Sequence, residues 1–169
     1  MERDGRLIRL YTRVYSRDRN VRLLKVIGTV GVGYVAVTYA ALCIMALLDG
    51  GALALVRLLC MAAIPFVLVS VLRLVLDCAR PYETVDLAQF EKMRAERKTG
   101  RSFPSRHVFS AFLIGTLAMA YSPTLGVLTL LVGAYIGAER SLLGIHYPKD
   151  VVAGAIIGAI SGTVGILFL

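Results

Sequence analysis

The sequence predicts an all-α membrane protein: a polytopic helical bundle of about five transmembrane helices, preceded by an interfacial amphipathic helix. Of the 169 residues, 57% are hydrophobic, and the charged residues are confined to a few stretches. Between those stretches lie long uncharged runs that approach the roughly 20 apolar residues a helix needs to cross a bilayer. These observations exclude a soluble globular class.

Five apolar runs carry this prediction: residues 26–48, 52–76, 108–121, 125–138 and 151–169. The third and fourth are short for a membrane span, so we expect their helices to extend through polar ends. The first run lacks a small-residue cleavage site and is expected to be a retained helix. We therefore expect a single transmembrane domain over residues 26–169, with residues 1–25 as a separate basic segment.

The basic segment has apolar residues at helical spacing, while its arginines lie largely on other faces. The apolar set is Leu7, Leu10, Tyr11, Val14 and Tyr15. This pattern predicts a helix in the membrane interface whose arginines meet anionic headgroups. The pattern lasts barely three turns, so a disordered basic tail is the alternative.

Small residues recur at four-residue spacing in the last two apolar runs, at Gly133 and Gly137 and at Gly154, Gly158 and Gly162. This spacing lets helix backbones approach closely and predicts tight packing without chemistry.

The first of three polar clusters ends the second run, where Arg80 follows Arg73 by seven residues. Seven residues are nearly two helical turns, so we expect both guanidinium groups to project from one face of one helix. Asp77 lies on the same side. The alternative is an Arg73–Asp77 pair within the helix and an ordinary juxtamembrane Arg80.

The second cluster begins the third run. Ser102 or Ser105 is a candidate cap for a helix whose first turn holds Arg106 and His107. A helix amino terminus offers free N–H groups and positive potential. With a hydroxyl, a guanidinium and an imidazole around it, this terminus is a candidate phosphate site.

The third cluster joins the fourth and fifth runs and contains Arg140, His146 and Asp150. Asp150 lies four residues beyond His146 and is placed to accept a hydrogen bond from one ring nitrogen. That bond would fix the tautomer and leave the other nitrogen free to attack an electrophile. The alternative is a loop histidine followed by a helix-capping aspartate.

If the predicted membrane helices alternate in direction, all three clusters meet at one membrane face. The combined set is Arg73, Arg80, Arg106, Arg140, His107, His146, Ser105 and Asp150. Four guanidinium groups and two imidazoles suit a tetrahedral polyanion far better than a neutral solute.

The three stretches resemble the type 2 phosphatidic acid phosphatase (PAP2) superfamily of lipid phosphatases, whose pattern is K-x6-R-P, then P-S-G-H, then S-R-x5-H-x3-D. The resemblance runs from Arg73 to the carboxyl terminus. Three positions depart from the pattern: Arg73 replaces the lysine, Arg106 the glycine, and Glu139 the serine.

The resemblance implies a mechanism. His146 would attack phosphorus, oriented by Asp150, to give a phosphohistidine, and His107 would protonate the leaving lipid oxygen. The phosphate would be bound by Arg73, Arg80, Arg140 and Ser105, and we expect Arg106 to contact a second phosphate or an anionic headgroup. No metal or other cofactor is expected.

The implied substrate is a lipid phosphate: phosphatidate, phosphatidylglycerophosphate or a polyprenyl diphosphate. A catalytically degenerate member that binds phospholipid headgroups is the alternative. The expected partners are this substrate and membrane lipids, with no nucleic acid, and homo-oligomerisation is left open. Basic residues before the first helix and between the second and third share the face of the site. The positive-inside rule therefore predicts a cytoplasmic active site in the cell membrane, and an external site is the alternative.

Overall fold

The computed structural model describes residues 2–97 and 99–168, apart from the side chains of residues 2–4, 6, 89 and 92. Five residues used in the predictions fall outside that description, wholly or in their side chains: the basic Arg3, Arg6, Lys92 and Lys98, which contribute to the charge bias, and Leu169, which ends the fifth apolar run. Throughout the described ranges every regular element is a helix. In chain order the helices are α1 (Glu2–Tyr15), α2 (Asp18–Leu76), α3 (Pro81–Thr84), α4 (Ala88–Glu96), α5 (Arg106–Met119), α6 (Pro123–Leu142) and α7 (Pro148–Ile166).

Helix α2 is broken at Gly51, which has φ 67° and ψ −162°. A straight helix would place Tyr39 and Phe66 about 40 Å apart, at a rise of about 1.5 Å per residue. Both nevertheless line one cavity of about 260 Å³. The chain therefore reverses at Gly51, and the two arms of α2 lie side by side. The reversal separates the two apolar runs that the sequence distinguished.

Within the described residues, three stretches are long and apolar enough to cross a membrane: Asp18–Thr84, which contains both arms of α2, Pro123–Leu142 and Pro148–Ile166. Helix α5 is a shorter apolar helix. Large apolar side chains such as Val37, Leu48 and Val75 are exposed on the outer surface, as expected of a surface that meets lipid. The predicted all-α membrane bundle is therefore confirmed, whereas five crossings remain a prediction.

Helix α5 is the core of the bundle, with Phe109 and Leu117 fully buried. Helix α7 packs directly on its backbone: a Cβ at Gly154 would lie 2.6 Å from the carbonyl oxygen of Ser105. On the α6 side, a Cβ at Gly133 would lie 2.9 Å from the Cβ of Ala111 in α5. The close approach predicted from the glycine spacing is confirmed, and it sets the amino termini of α5 and α7 side by side.

Helices α1, α3 and α4 cover the same end of the bundle. Tyr11 of α1, Tyr82 of α3 and Phe90 of α4 form a small buried cluster. The basic amino-terminal segment is thus helical, with Tyr11 and Tyr15 turned towards Phe90. Ile8 and Leu10 remain exposed on its other side. The interfacial position of α1 stays a prediction.

Candidate active site

Helix α2 ends before it reaches Arg80. Asp77 caps it with a left-handed φ of 36°, and Arg80 is extended, with ψ 160°. An extended conformation is favoured because Arg80 precedes Pro81, and a residue before proline is disfavoured in the helical region. The prediction that Arg73 and Arg80 project from one face of one helix is therefore wrong.

The two arginines converge instead on one loop, residues 100–104. The Nη1 of Arg73 donates to the carbonyl oxygens of Pro104 and, at 3.2 Å, Ser102. The Nε of Arg80 donates to the carbonyl of Gly100 at 2.9 Å. A guanidinium has five N–H donors, so each arginine keeps donors that these carbonyls do not use. The loop is fixed in place while positive charge remains available for an anion.

His146 and Asp150 are connected through a third residue, Ser102. The distance from His146 Nδ1 to Asp150 Oδ2 is 3.8 Å, too long for the direct hydrogen bond that the sequence predicted. The hydroxyl of Ser102 lies between them, 3.3 Å from Nδ1 and 2.5 Å from Oδ2. All three side chains are buried. The chain of polar atoms therefore runs from imidazole to hydroxyl to carboxylate.

The sequence predicts Ser102 only as a candidate helix cap and not as a link between His146 and Asp150. It lies 44 and 48 residues from its two side-chain partners, so no local spacing reveals the contact. The sequence signal for this contact is the hydroxyl of Ser102 itself, which directly precedes the Phe103–Pro104 pair of the second cluster.

Burial lowers the pKa of His146 below its ordinary value, because the charged imidazole loses hydration. The positive charges of Arg80 and Arg73 act in the same direction, while Asp150 opposes them. An unperturbed histidine titrates near pH 6.5, so His146 is neutral at pH 7. A neutral ring has a free nitrogen lone pair.

Ser105 occupies the cap position of α5, but its hydroxyl makes no capping bond. That hydroxyl is buried and has no hydrogen-bond partner within the described part of the chain. The backbone N–H of Ser105 donates to the carbonyl of Asp150 at 2.9 Å, which joins the start of α5 to the start of α7. A buried hydroxyl without a partner suits a bound polar group.

Arg106 lies between two cavities. One, of about 530 Å³, also contains Arg73, Arg80, Arg101 and Thr99. The other, of about 400 Å³, is mainly apolar; Arg106 and His107 line its polar end, and Val32, Tyr39, Phe66 and Ile114 line its walls. The Arg106 guanidinium lies 5.9 Å from the ring centre of Phe66. A charged group with a hydrocarbon chain fits this pair of cavities.

Arg140 lies near the end of α6, as the sequence predicted. Its Nε is 3.2 Å from Oε2 of Glu139, whose side chain is 2% exposed. Gly28 of α2 leaves room for that carboxylate, since a Cβ there would lie 2.8 Å from its Cδ. Arg140 and His107 are within electrostatic range of each other. The Glu139 departure from the motif thus places a buried carboxylate beside Arg140.

All eight residues predicted from the sequence lie at one end of the bundle. The backbone N–H of Ser105 bonds directly to Asp150, and His146 is connected to Asp150 through Ser102. Arg73 and Arg80 hold the loop that carries Ser102. Arg106 shares cavities with Arg73 and with His107, and Arg140 lies within electrostatic range of His107. The chemical roles of these residues remain predictions.

Comparison with known proteins defines the class of this chain. The PAP2 superfamily model matches residues 54–169. The chain therefore belongs to the PAP2 superfamily.

The proteins similar to it include the following two. The bacitracin transport permease protein BcrC of Bacillus licheniformis is 39% identical over 66 residues. Those residues are 39% of this chain and 32% of BcrC, so the match spans about a third of that relative. The crystal structure of LpxE from Aquifex aeolicus superposes with a TM-score of 0.68 at 25% identity, covering 95% of this chain and 94% of LpxE.

Proposed function

We propose that this protein is an integral membrane lipid phosphatase that hydrolyses a lipid phosphomonoester or diphosphate through a phosphohistidine, without a metal ion. One observation carries the proposal. A buried, neutral His146 is linked through Ser102 to Asp150, next to a loop held by two arginines. Membership of the PAP2 superfamily supports the same chemistry.

His146 is the nucleophile in this proposal. Its Nδ1–H donates to the Ser102 oxygen, and the Ser102 hydroxyl donates to Asp150, which leaves the lone pair on Nε2. A bond forms between Nε2 and phosphorus while the bond from phosphorus to the leaving oxygen breaks. Asp150 stabilises the positive charge that develops on the imidazole.

His107 is the general acid for the leaving oxygen and then the general base for water. In the first step it gives a proton to that oxygen. In the second it removes a proton from water as the water oxygen attacks the phosphohistidine. The Nε2–phosphorus bond breaks, inorganic phosphate leaves, and both histidines return to their starting states.

Positive charge and N–H donors stabilise the phosphoryl group in the transition state. Arg73 and Arg80 supply donors that the loop carbonyls do not use, and Arg140 adds a third guanidinium. The Ser105 hydroxyl, which has no partner among the described residues, and the amino terminus of α5 complete this set.

The two cavities beside Arg106 support a lipid as the substrate. The cationic cavity suits phosphate oxygens, and the apolar cavity suits a hydrocarbon chain that enters from the bilayer. Phosphatidate, phosphatidylglycerophosphate and polyprenyl diphosphates all have this division between anionic head and apolar chain. We propose residues 26–169 as the single catalytic domain.

Phosphate release from these three lipids tests the proposed function. The purified protein in detergent should release phosphate from at least one of them in EDTA, and orthovanadate should inhibit by resembling five-coordinate phosphorus. Complete loss of activity in chelator, restored by magnesium, would assign a different mechanism. Binding without release from any of the three would identify a headgroup-binding protein instead.

We further propose that the site faces the cytoplasm. Val21, at the start of α2, packs against Leu143 and Ile145 of the loop that carries His146, so the basic amino-terminal segment lies at the end of the bundle that holds the site. The positive-inside rule places such an end in the cytoplasm. The free cysteines Cys43, Cys60 and Cys78 are first replaced by serine. In sealed right-side-out vesicles of that variant, a cysteine introduced at exposed Arg17 should resist an impermeant thiol reagent, and rapid labelling would support an external site.

A further inference from the structure

The turn that carries His146, residues 143–147, begins with a Schellman motif at the end of α6. The N–H of Gly144 donates to the carbonyl of Ser141 at 3.1 Å, and that of Ile145 to the carbonyl of Arg140 at 2.9 Å. Gly144 has φ +67°, a conformation that favours glycine. The N–H groups of residues 143–146 thus donate to carbonyls of α6, and that of Tyr147 donates to Oδ2 of Asp150 at 3.0 Å.

Three successive carbonyls before His146 accept hydrogen bonds from two parts of the chain, the end of α1 and the start of α3. The carbonyl of Leu143 accepts from the Tyr15 hydroxyl at 3.1 Å. The carbonyl of Gly144 accepts from the backbone N–H of Tyr82 at 3.2 Å. The carbonyl of Ile145 accepts from Arg80 Nη1 at 3.4 Å. The turn immediately before the nucleophile is therefore held by three hydrogen bonds, one from α1 and two from the start of α3.

Tyr15 is the most distant of these donors, since it ends α1 and precedes the region matched by the family model. Its ring packs edge-on against Phe90 at 5.6 Å. Phe90 in turn occupies the space beside Gly144, where any Cβ would overlap its ring. Met93 Sδ also lies 3.4 Å from the Tyr15 hydroxyl, but a thioether is a weak acceptor compared with a carbonyl.

We infer that Tyr15 is a positioning residue for the nucleophile: α1 holds the turn 143–147 through the hydrogen bond from Tyr15 to Leu143, and so sets the attack geometry of His146. The inference rests on the proposed role of His146. Displacement of a nucleophile by about 1 Å is enough to slow a reaction strongly, although substrate still binds. Loss of this bond should therefore lower kcat and leave KM unchanged.

Tyr11 provides a matched control. It belongs to the same helix and packs edge-on against the same Phe90 ring, at 5.2 Å. Its hydroxyl is buried and has no hydrogen-bond partner within the described ranges. Tyr15→Phe and Tyr11→Phe therefore remove the same atom and keep the same ring contact, but only the first removes a bond to the turn.

The test compares full-length wild type and both variants in detergent, with phosphatidate, phosphatidylglycerophosphate and a polyprenyl diphosphate as substrates. We expect Tyr15→Phe to lower kcat by about two- to tenfold with KM unchanged, the loss typical of one neutral hydrogen bond. Tyr11→Phe should keep the wild-type kcat. Hydrogen exchange in residues 143–147 should be faster in Tyr15→Phe alone, whichever substrate is turned over.

Equal kinetics and equal exchange in the two variants would overturn the inference. So would a Tyr15→Phe enzyme that melts at a lower temperature but keeps the wild-type kcat in its folded fraction, since that result indicates a purely structural bond. Neither outcome bears on the proposed function, which would fail on a different result, namely retained turnover in His146→Ala.

Discussion

The Ser102 hydroxyl donates a 2.5 Å hydrogen bond to Oδ2 of Asp150. The oxygen of the Ser102 hydroxyl lies 3.3 Å from Nδ1 of His146, whereas Oδ2 of Asp150 is 3.8 Å from that nitrogen. A hydroxyl both donates and accepts, so Ser102 passes the orienting effect of the carboxylate on to the imidazole. Its backbone is held on both sides, by the carbonyl of Cys78 and the guanidinium of Arg73.

Ser102→Ala should lower kcat by about ten- to a hundredfold and leave KM nearly unchanged. The substitution removes a charge-assisted hydrogen bond, worth about 1.5–3 kcal/mol, and frees the imidazole to change tautomer. Steady-state kinetics on a lipid phosphate measures the effect.

Ser122→Ala is the control for this prediction. Ser122 caps α6, and its hydroxyl accepts from the N–H of Leu125 at 3.3 Å, so its loss should cost stability of about 1 kcal/mol and no activity in the folded protein. A wild-type kcat in Ser102→Ala would show that Ser102 does not connect His146 to Asp150 during catalysis.

The acid limb of the pH dependence of kcat/KM reports the ionisation of His146. Its pKa is lowered by burial, and only the neutral ring attacks phosphorus. The rate should therefore stay high as the pH falls through about 6.5, the ordinary value for histidine, and should decline only below it. The contribution of the lipid phosphate's own ionisation is first subtracted from the kcat/KM profile. An acid limb whose midpoint then lies at or above about pH 6.5 would contradict a buried neutral nucleophile.

Arg106→Gly should weaken turnover of lipid diphosphates much more than that of lipid monophosphates. Arg106 lies at the boundary of the cationic and apolar cavities, where its guanidinium can meet a second phosphate. One charge-assisted contact of about 1.5–3 kcal/mol corresponds to roughly ten- to a hundredfold in kcat/KM. Paired assays on a polyprenyl monophosphate and diphosphate measure the difference.

Arg57→Gly is the matched control, because it also removes one guanidinium but far from the site. Arg57 lies on the second arm of α2, about 24 Å from Arg73 at a rise of about 1.5 Å per residue. This variant should affect both substrates equally or not at all. Equal losses on both substrates in Arg106→Gly would mean that Arg106 contributes only to the general positive potential. No loss on either would make it an ordinary surface arginine.

Much of the bundle is predictable because it depends on local patterns. Hydropathy runs locate the apolar helices, Gly154 and Gly133 predict close helix packing, and Pro148 marks the start of α7. The eight candidate site residues follow from short spacings within three motifs. Each of these signals lies within a few helical turns of sequence.

The remaining features depend on contacts between distant parts of the chain. The contact from Ser102 to Asp150 joins residues 48 apart, and that from Tyr15 to Leu143 joins residues 128 apart. The early end of α2 depends on the left-handed conformation of Asp77, which helical spacing does not reveal. Arg73 and Arg80 meet through the folded loop 100–104 and not through helix periodicity.

The role of His146 as nucleophile is tested most directly by trapping the phosphoenzyme. The wild-type protein is mixed with a ³²P-labelled lipid phosphate, quenched in alkaline detergent because phosphohistidine is labile in acid, and digested for peptide mapping. Label should appear on the peptide that contains His146, and His146→Ala should show neither label nor turnover. Label on a different residue, or a His146→Ala protein with a tenth or more of the wild-type activity, would contradict the assignment.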